Sequence, residues 1–170
     1  MGVVSLGIGQ GELGQTPLQM ANVIAAIANR GYWYTPHLVK KVIDDDSTLQ
    51  RFFVKNQVPV DQVYFDMVIK GMERVVESGT GTVAQIPGVS IAGKTGTAEN
   101  PHGKDHSLFV CYAPVEDPKI AIAVIVENAG FGSTYGAPIA SLMMELYLND
   151  TISTSRKYLE ERMFNTNLIQ

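Results

Sequence analysis

An α+β fold, a partial antiparallel β-sheet flanked by helices, is what this sequence predicts, and three observations predict it. Residues 89–99, 107–113 and 119–127 read as successive strands. Val115-Glu116-Asp117-Pro118 makes a turn between two antiparallel strands. Around them, three stretches repeat apolar residues at helical spacing.

The first helix begins at Gln15-Thr16-Pro17-Leu18-Gln19. Thr16 can cap it, Pro17 presets φ at the first helical position, and Gln19 closes a capping box. Met20, Val23, Ile24, Ile27 and Ala28 form its apolar stripe, and Asn29-Arg30-Gly31 ends it. A β-hairpin is expected next, His37 to Ile43 and Leu49 to Val54, across the acidic turn Asp44-Asp45-Asp46-Ser47. Those aspartates are adjacent rather than spaced to converge on a cation, so they read as a solvated turn.

The second helix runs from Val60 to Glu77, with Val63, Met67, Val68, Gly71, Met72 and Val75 as its apolar stripe. Ser78-Gly79-Thr80-Gly81-Thr82 stops it. In the strand Ile120 to Val126 the larger residues fall mainly on one face and two alanines on the other. Such a strand is covered on both sides, and the alanine side lets a helix approach closely. Gly136-Ala137-Pro138 opens a last helix through Leu148, with Ile139, Leu142, Met143, Leu146 and Tyr147 as its apolar side. The tail, residues 149–170, is polar and weakly helical around Lys157 to Met163.

A length of 170 residues fits one domain with a sizeable core. An apolar share of 45% with 18% charged residues suits a soluble globular protein. The net charge of −4 gives no nucleic-acid footprint. The single cysteine, Cys111, has no disulfide partner in the chain and sits in an apolar strand, so it reads as an inert core thiol. No apolar run approaches the roughly 18–20 residues that span a bilayer, and Met1-Gly2-Val3-Val4 shows no signal-peptide pattern. The sequence as it stands predicts a soluble chain with no address.

Three motifs invite a chemical reading. Gly9-Gln10-Gly11-Glu12-Leu13-Gly14 matches the dinucleotide fingerprint, but Pro17 starts the helix three residues past the last glycine. It is read as a glycine-rich helix entry. Gly88 to Thr95 formally matches the phosphate-binding G-x-x-x-x-G-K-[ST] loop. Val89 to Ala92 favours extended backbone, however, and Gly96, Asn100-Pro101 and Gly103 forbid the helix that loop must enter.

The third motif, Lys94-Thr95-Gly96-Thr97, makes sense on a strand. A cation at a sheet edge attracts a carboxylate, and flanking threonines donate hydrogen bonds to it. Gly96 leaves room for a substrate backbone to lie along the strand, and an edge amide can serve as an oxyanion donor. The β-lactam-recognising serine enzymes combine such a K-T-G strand with an S-x-x-K nucleophile and an S-x-N element. No serine here has a lysine three residues on or an asparagine two residues on. Either the motif is accidental, or the chain is a piece of a larger catalytic domain.

Wider stretches carry a resemblance. Gly7 to Gly11 with Gln15 to Ala21, Val75 to Ala84, and Gly93 to Asn100 resemble class B penicillin-binding proteins, in that order. His102 to Phe109 and Val126 to Gly130 look like the penicillin-binding protein 2 type. The resemblance implies that residues 1–148 are the C-terminal portion of a transpeptidase domain, an incomplete penicillin-binding fold followed by the tail.

The implied parent is a periplasmic, membrane-anchored serine D,D-transpeptidase that cross-links peptidoglycan stem peptides and is inhibited by β-lactams. It would work with a SEDS-type glycan polymerase and the elongation machinery. By carry-over Lys94 supports the active-site serines, while Thr95 and Thr97 bind the carboxylate beside Gly96. The Thr97 amide completes the oxyanion hole. No cofactor and no metal are implied, and this chain alone is expected to be inactive and to self-associate.

His102, Asp105 and His106 are read as a polar loop beside the cleft rather than a metal site, and His37 as surface polar. An alternative of another class is a non-catalytic module whose K-T-G strand binds a peptide by edge addition. A P-loop nucleotide binder is the third reading.

Overall fold

Thr16 caps the first helix through the reciprocal bonds its sequence anticipates. The computed structural model describes Gly7, Gly9 and residues 14–43 and 47–168. Helix α1 spans Pro17–Ala28, with the Thr16 hydroxyl accepting from the Gln19 amide and the Gln19 side chain from the Thr16 amide. Most of the glycine motif at residues 9–14 and the three aspartates at 44–46 lie outside the described residues.

The hairpin expected at residues 37–54 does not form. Two-residue strands β1 (Tyr32–Trp33) and β2 (Asn56–Gln57) pair antiparallel instead, and Ser47–Phe53 is a 3₁₀ helix. Leu38 and Ile43 are fully or largely exposed, so the alternating pattern has no sheet to pack against.

Helix α2 (Gln62–Glu77) buries Phe65, Ile69, Met72 and Val76, a stripe that shares only Met72 with the expected one. Val63, Met67 and Val68 face outward. Two apolar stripes compete on this helix, and the one carrying the phenylalanine wins because Phe65 fills the space beside Gly31. A Cβ on Gly31 would lie 3.0 Å from that ring.

Strands β3 (Ala92–Ala98), β4 (His106–Ala113) and β5 (Ile120–Val126) form one antiparallel sheet in sequence order. Register places Gly96 opposite Leu108 and Thr97 opposite Ser107. Helix α3 (Gly136–Asn149) lies on one face, over Phe109, Cys111 and Ile122. Helices α1 and α2 cover the other, around Ala92, Tyr112 and Ala121. The alanine side of β5 therefore does admit a helix, as its pattern requires.

Helix α3 is rotated from its expected setting. Ala137, Ala140 and Met144 pack into the sheet-side core, while of the expected stripe Leu142 is buried and Met143, Leu146 and Tyr147 stay more than half exposed. Small residues decide this: a Cβ on Gly136 would lie 3.0 Å from the Phe109 nitrogen, so the helix start rests directly on the strand backbone.

The polar tail also docks. Helix α4 (Lys157–Asn165) buries Leu159, and Arg156 pairs with the buried Glu145 at 3.1 Å. Arg156 further donates to Ser141 Oγ and to the Gln85 carbonyl.

Candidate active site

Strand β3 is an outer strand of its sheet, and Lys94, Thr95, Gly96 and Thr97 all lie on it. The strand conformation removes the nucleotide reading, because the K-T pair of a phosphate loop must enter a helix. Lys94 is exposed, and its ammonium donates to the Thr95 carbonyl at 2.7 Å. Thr95, Gly96 and Thr97 are half-buried. Thr95 and Thr97 share one face by strand alternation. That is the spacing two hydroxyls need to reach one carboxylate.

Gly96 sits close against its cross-strand neighbour. A Cβ there would lie 2.7 Å from Leu108 Cδ2. Against the same place runs the segment after β5. A Cβ on Gly132 would overlap the Leu108 carbonyl oxygen and lie 2.5 Å from the Gly96 carbonyl oxygen. Ser107, buried beneath this segment, donates to the Phe131 carbonyl at 2.7 Å and accepts from the Gly136 amide at 3.0 Å.

In the sequence Ser78 to Thr82 reads as a helix stop and as part of the family resemblance, with no role for Thr80. The Thr80 hydroxyl in fact lies 2.6 Å from the Thr95 hydroxyl, at the short end for two such oxygens. A threonine held between two glycines was the available signal.

The loop after β3 is tied by its own polar groups. Asn100 donates to Asn128 Oδ1 at 2.7 Å, and its amide reaches Asp105 Oδ1 at 3.3 Å. His106, the first residue of β4, accepts from the Asn128 amide through Nδ1 at 3.0 Å. Asp105 and His106 are thus spent on loop structure, and His102 is exposed. Among the described residues no three His, Cys, Asp or Glu side chains group as a metal requires. Cys111 is buried, and burial pushes its thiol far above the ordinary range. It is a core residue, not a nucleophile.

A sequence model of the penicillin binding protein transpeptidase domain matches residues 2–145. The chain belongs to this family. It is 33% identical to the peptidoglycan D,D-transpeptidase MrdA of Haemophilus influenzae over 91% of its length, which is 27% of that relative. Against the MrdA of Acinetobacter baumannii the identity is 35%, over 85% of the chain and 24% of the relative.

Among solved structures, Pseudomonas aeruginosa PBP2 in complex with WCK 5153 superposes with a TM-score of 0.74 at 36% identity. That match covers 88% of this chain and 34% of the other. Penicillin-binding protein A from M. tuberculosis, as a ceftriaxone acyl-enzyme, gives 0.73 at 32% identity, over 85% and 35%. The chain therefore spans about a quarter of the curated relatives above and about a third of these solved chains. The transpeptidase fold class holds, and no helix among the described residues is long and apolar enough to cross a membrane.

Proposed function

We propose that this chain supplies one wall of the acyl-transfer cleft of a peptidoglycan D,D-transpeptidase, with Lys94, Thr95, Gly96 and Thr97 as the substrate-binding strand. The observation that carries the reading is an outer strand bearing a cation, two hydroxyls on one face and a glycine between them. Thr95 and Thr97 donate to the carboxylate of a stem peptide or β-lactam, and Lys94 draws that charge to the strand. The Thr97 amide serves the oxyanion hole. The acylated serine comes from outside these residues, since acylation needs a hydroxyl with a nearby base and no serine here has a lysine three residues on, as the S-x-x-K nucleophile requires.

The complete protein, on this reading, is anchored in the bacterial inner membrane, works at its periplasmic face and partners a glycan polymerase. Fluorescent penicillin tests it. The complete transpeptidase should label covalently, while the 170-residue chain should show no adduct by intact mass. A stoichiometric adduct on a serine of this chain would overturn the division of labour.

We further infer that the chain on its own self-associates through the β5 side. The outer edge of β5 has no strand partner among the described residues, and Ile125 on that strand is partly exposed. Sedimentation should show a species larger than a monomer at high micromolar concentration, and a clean monomer would refute it.

A further inference from the structure

The close contact between Thr80 and Thr95 is built rather than incidental. Thr80 stands on the turn that leaves α2, and that turn is clamped from behind. The Ser78 amide donates to the Arg74 carbonyl at 3.0 Å, and the Gly81 amide to that of Val75 at 2.9 Å. Gln85 Nε2 bonds the Val76 and Glu77 carbonyls at 3.0 and 2.9 Å. Gln85 in turn is held by Arg156, whose guanidinium is fixed by Glu145 and Ser141.

Both flanking glycines are needed for the turn to close. A Cβ on Gly79 would lie 2.8 Å from Val75 Cα, and one on Gly81 would lie 3.3 Å from Phe109 Cε2. A polar network rooted in the buried Arg156, Glu145 and Ser141 thus ends in one exposed hydroxyl aimed at the K-T-G strand.

A threonine hydroxyl has one proton to give. If Thr95 gives its proton to a bound carboxylate, it meets Thr80 as an acceptor, and Thr80 must be the donor. That donation fixes the Thr95 rotor and polarises its O–H bond toward the ligand. We propose that Thr80 is a positioning residue for Thr95, holding the Thr95 proton on the carboxylate of the substrate or β-lactam. The inference rests on the carboxylate-binding reading of β3.

The test is a cycle of variants in the complete transpeptidase, read as the second-order rate of acylation by benzylpenicillin. Thr80→Val should lower the rate about three- to tenfold, and Thr80→Ser, which keeps the hydroxyl, should restore it. The Thr80→Val/Thr95→Val double variant should be no slower than Thr95→Val alone. With the benzylpenicillin methyl ester, which lacks the carboxylate, Thr80→Val should make no difference, whereas a merely structural defect would slow both compounds. Additive losses, or an unaltered rate in Thr80→Val beside a slowed Thr95→Val, would overturn the inference. An unaltered rate in Thr95→Val would instead overturn the reading of β3, and this inference with it.

Discussion

At one edge of the sheet β3 reads Ala-Gly-Lys-Thr-Gly-Thr-Ala, and at the other β5 reads Ile-Ala-Ile-Ala-Val-Ile-Val. Both edges offer backbone groups that β4 does not use. The first carries a charge, two hydroxyls and two glycines, which discourage permanent pairing and admit a polar extended ligand. The second carries none of these protections. An apolar strand with an open edge is stable in solution only when something covers it. On the function proposed above, open edges in one sheet serve different ends: β3 takes an extended ligand briefly, and β5 is covered for good.

The largest effect is expected from Thr97→Val in the complete transpeptidase. The substitution keeps size and removes one donor to a carboxylate. Acylation by β-lactams should fall by about 2–3 kcal/mol in barrier terms, roughly 30- to 150-fold, as expected for a charge-assisted bond. Association of the isolated chain should not change. An unchanged acylation rate removes Thr97 from the site, and a changed association would mean that the two edges are not separate.

The edges were also the most legible parts of the sequence. Lys94 to Thr97 and the alternation of Ile120 to Val126 are local patterns, and each sits on the strand that its residues demand. The Thr16 capping box was readable for the same reason. Rotation of α2 and α3 was not. Each helix has two apolar stripes, and the choice depends on tertiary fit: Phe65 beside Gly31, and Gly136 against the Phe109 backbone. The failed hairpin shows the same limit, because alternation in residues 37–43 means nothing without a sheet beneath it. Thr80 was missed because its partner is fifteen residues away and only folding brings the two hydroxyls together.

Gly132 and Gly96 differ in what an added methyl group would meet. A methyl group on Gly132 must displace backbone, so Gly132→Ala should cost about 2 kcal/mol of stability and lift the segment off the strand. Gly96→Ala meets chiefly the far end of the Leu108 side chain, which can turn aside, and should cost less. Denaturant unfolding of both variants gives the order. A costlier Gly96→Ala would place the tighter constraint on the strand rather than on the segment behind it.

For β5 the corresponding change is Ile125→Lys. Ile125 is 37% exposed, so the ammonium can reach water while its charge guards the edge. The isolated chain should associate at least about tenfold more weakly, near 1.4 kcal/mol. Sedimentation equilibrium reads this directly, and unchanged association would move the contact to the exposed faces of α2 or α3.

The smallest effect is expected midway between the edges, at Tyr112 on β4, which pairs with Ala92 of β3 and Ala121 of β5. Its ring is buried, and its hydroxyl has no hydrogen-bond partner among the described residues. Burial is the main cause that pushes the phenol up to about 12, with Arg30 opposing and Glu73, Glu116 and Asp66 adding to the rise. The unfolded phenol ionises near 10. Between these values the folded state keeps a proton that the unfolded state has lost, so stability falls as pH rises, by at most about 1.4 kcal/mol per pH unit. Below pH 10 this contribution is flat. Tyr112→Phe should remove this share of the alkaline slope, leaving that of the buried Cys111 thiol, and, at pH 7, leave stability unchanged or raise it by up to about 1 kcal/mol, because a desolvated hydroxyl disappears. Urea unfolding at pH 7 and above pH 10 measures both. Acylation in the complete enzyme and association of the isolated chain should stay as they were, which is the behaviour of a strand that joins two independent edges. A loss above about 1 kcal/mol at pH 7 would show instead that the hydroxyl is bonded in solution and that the middle of the sheet depends on it.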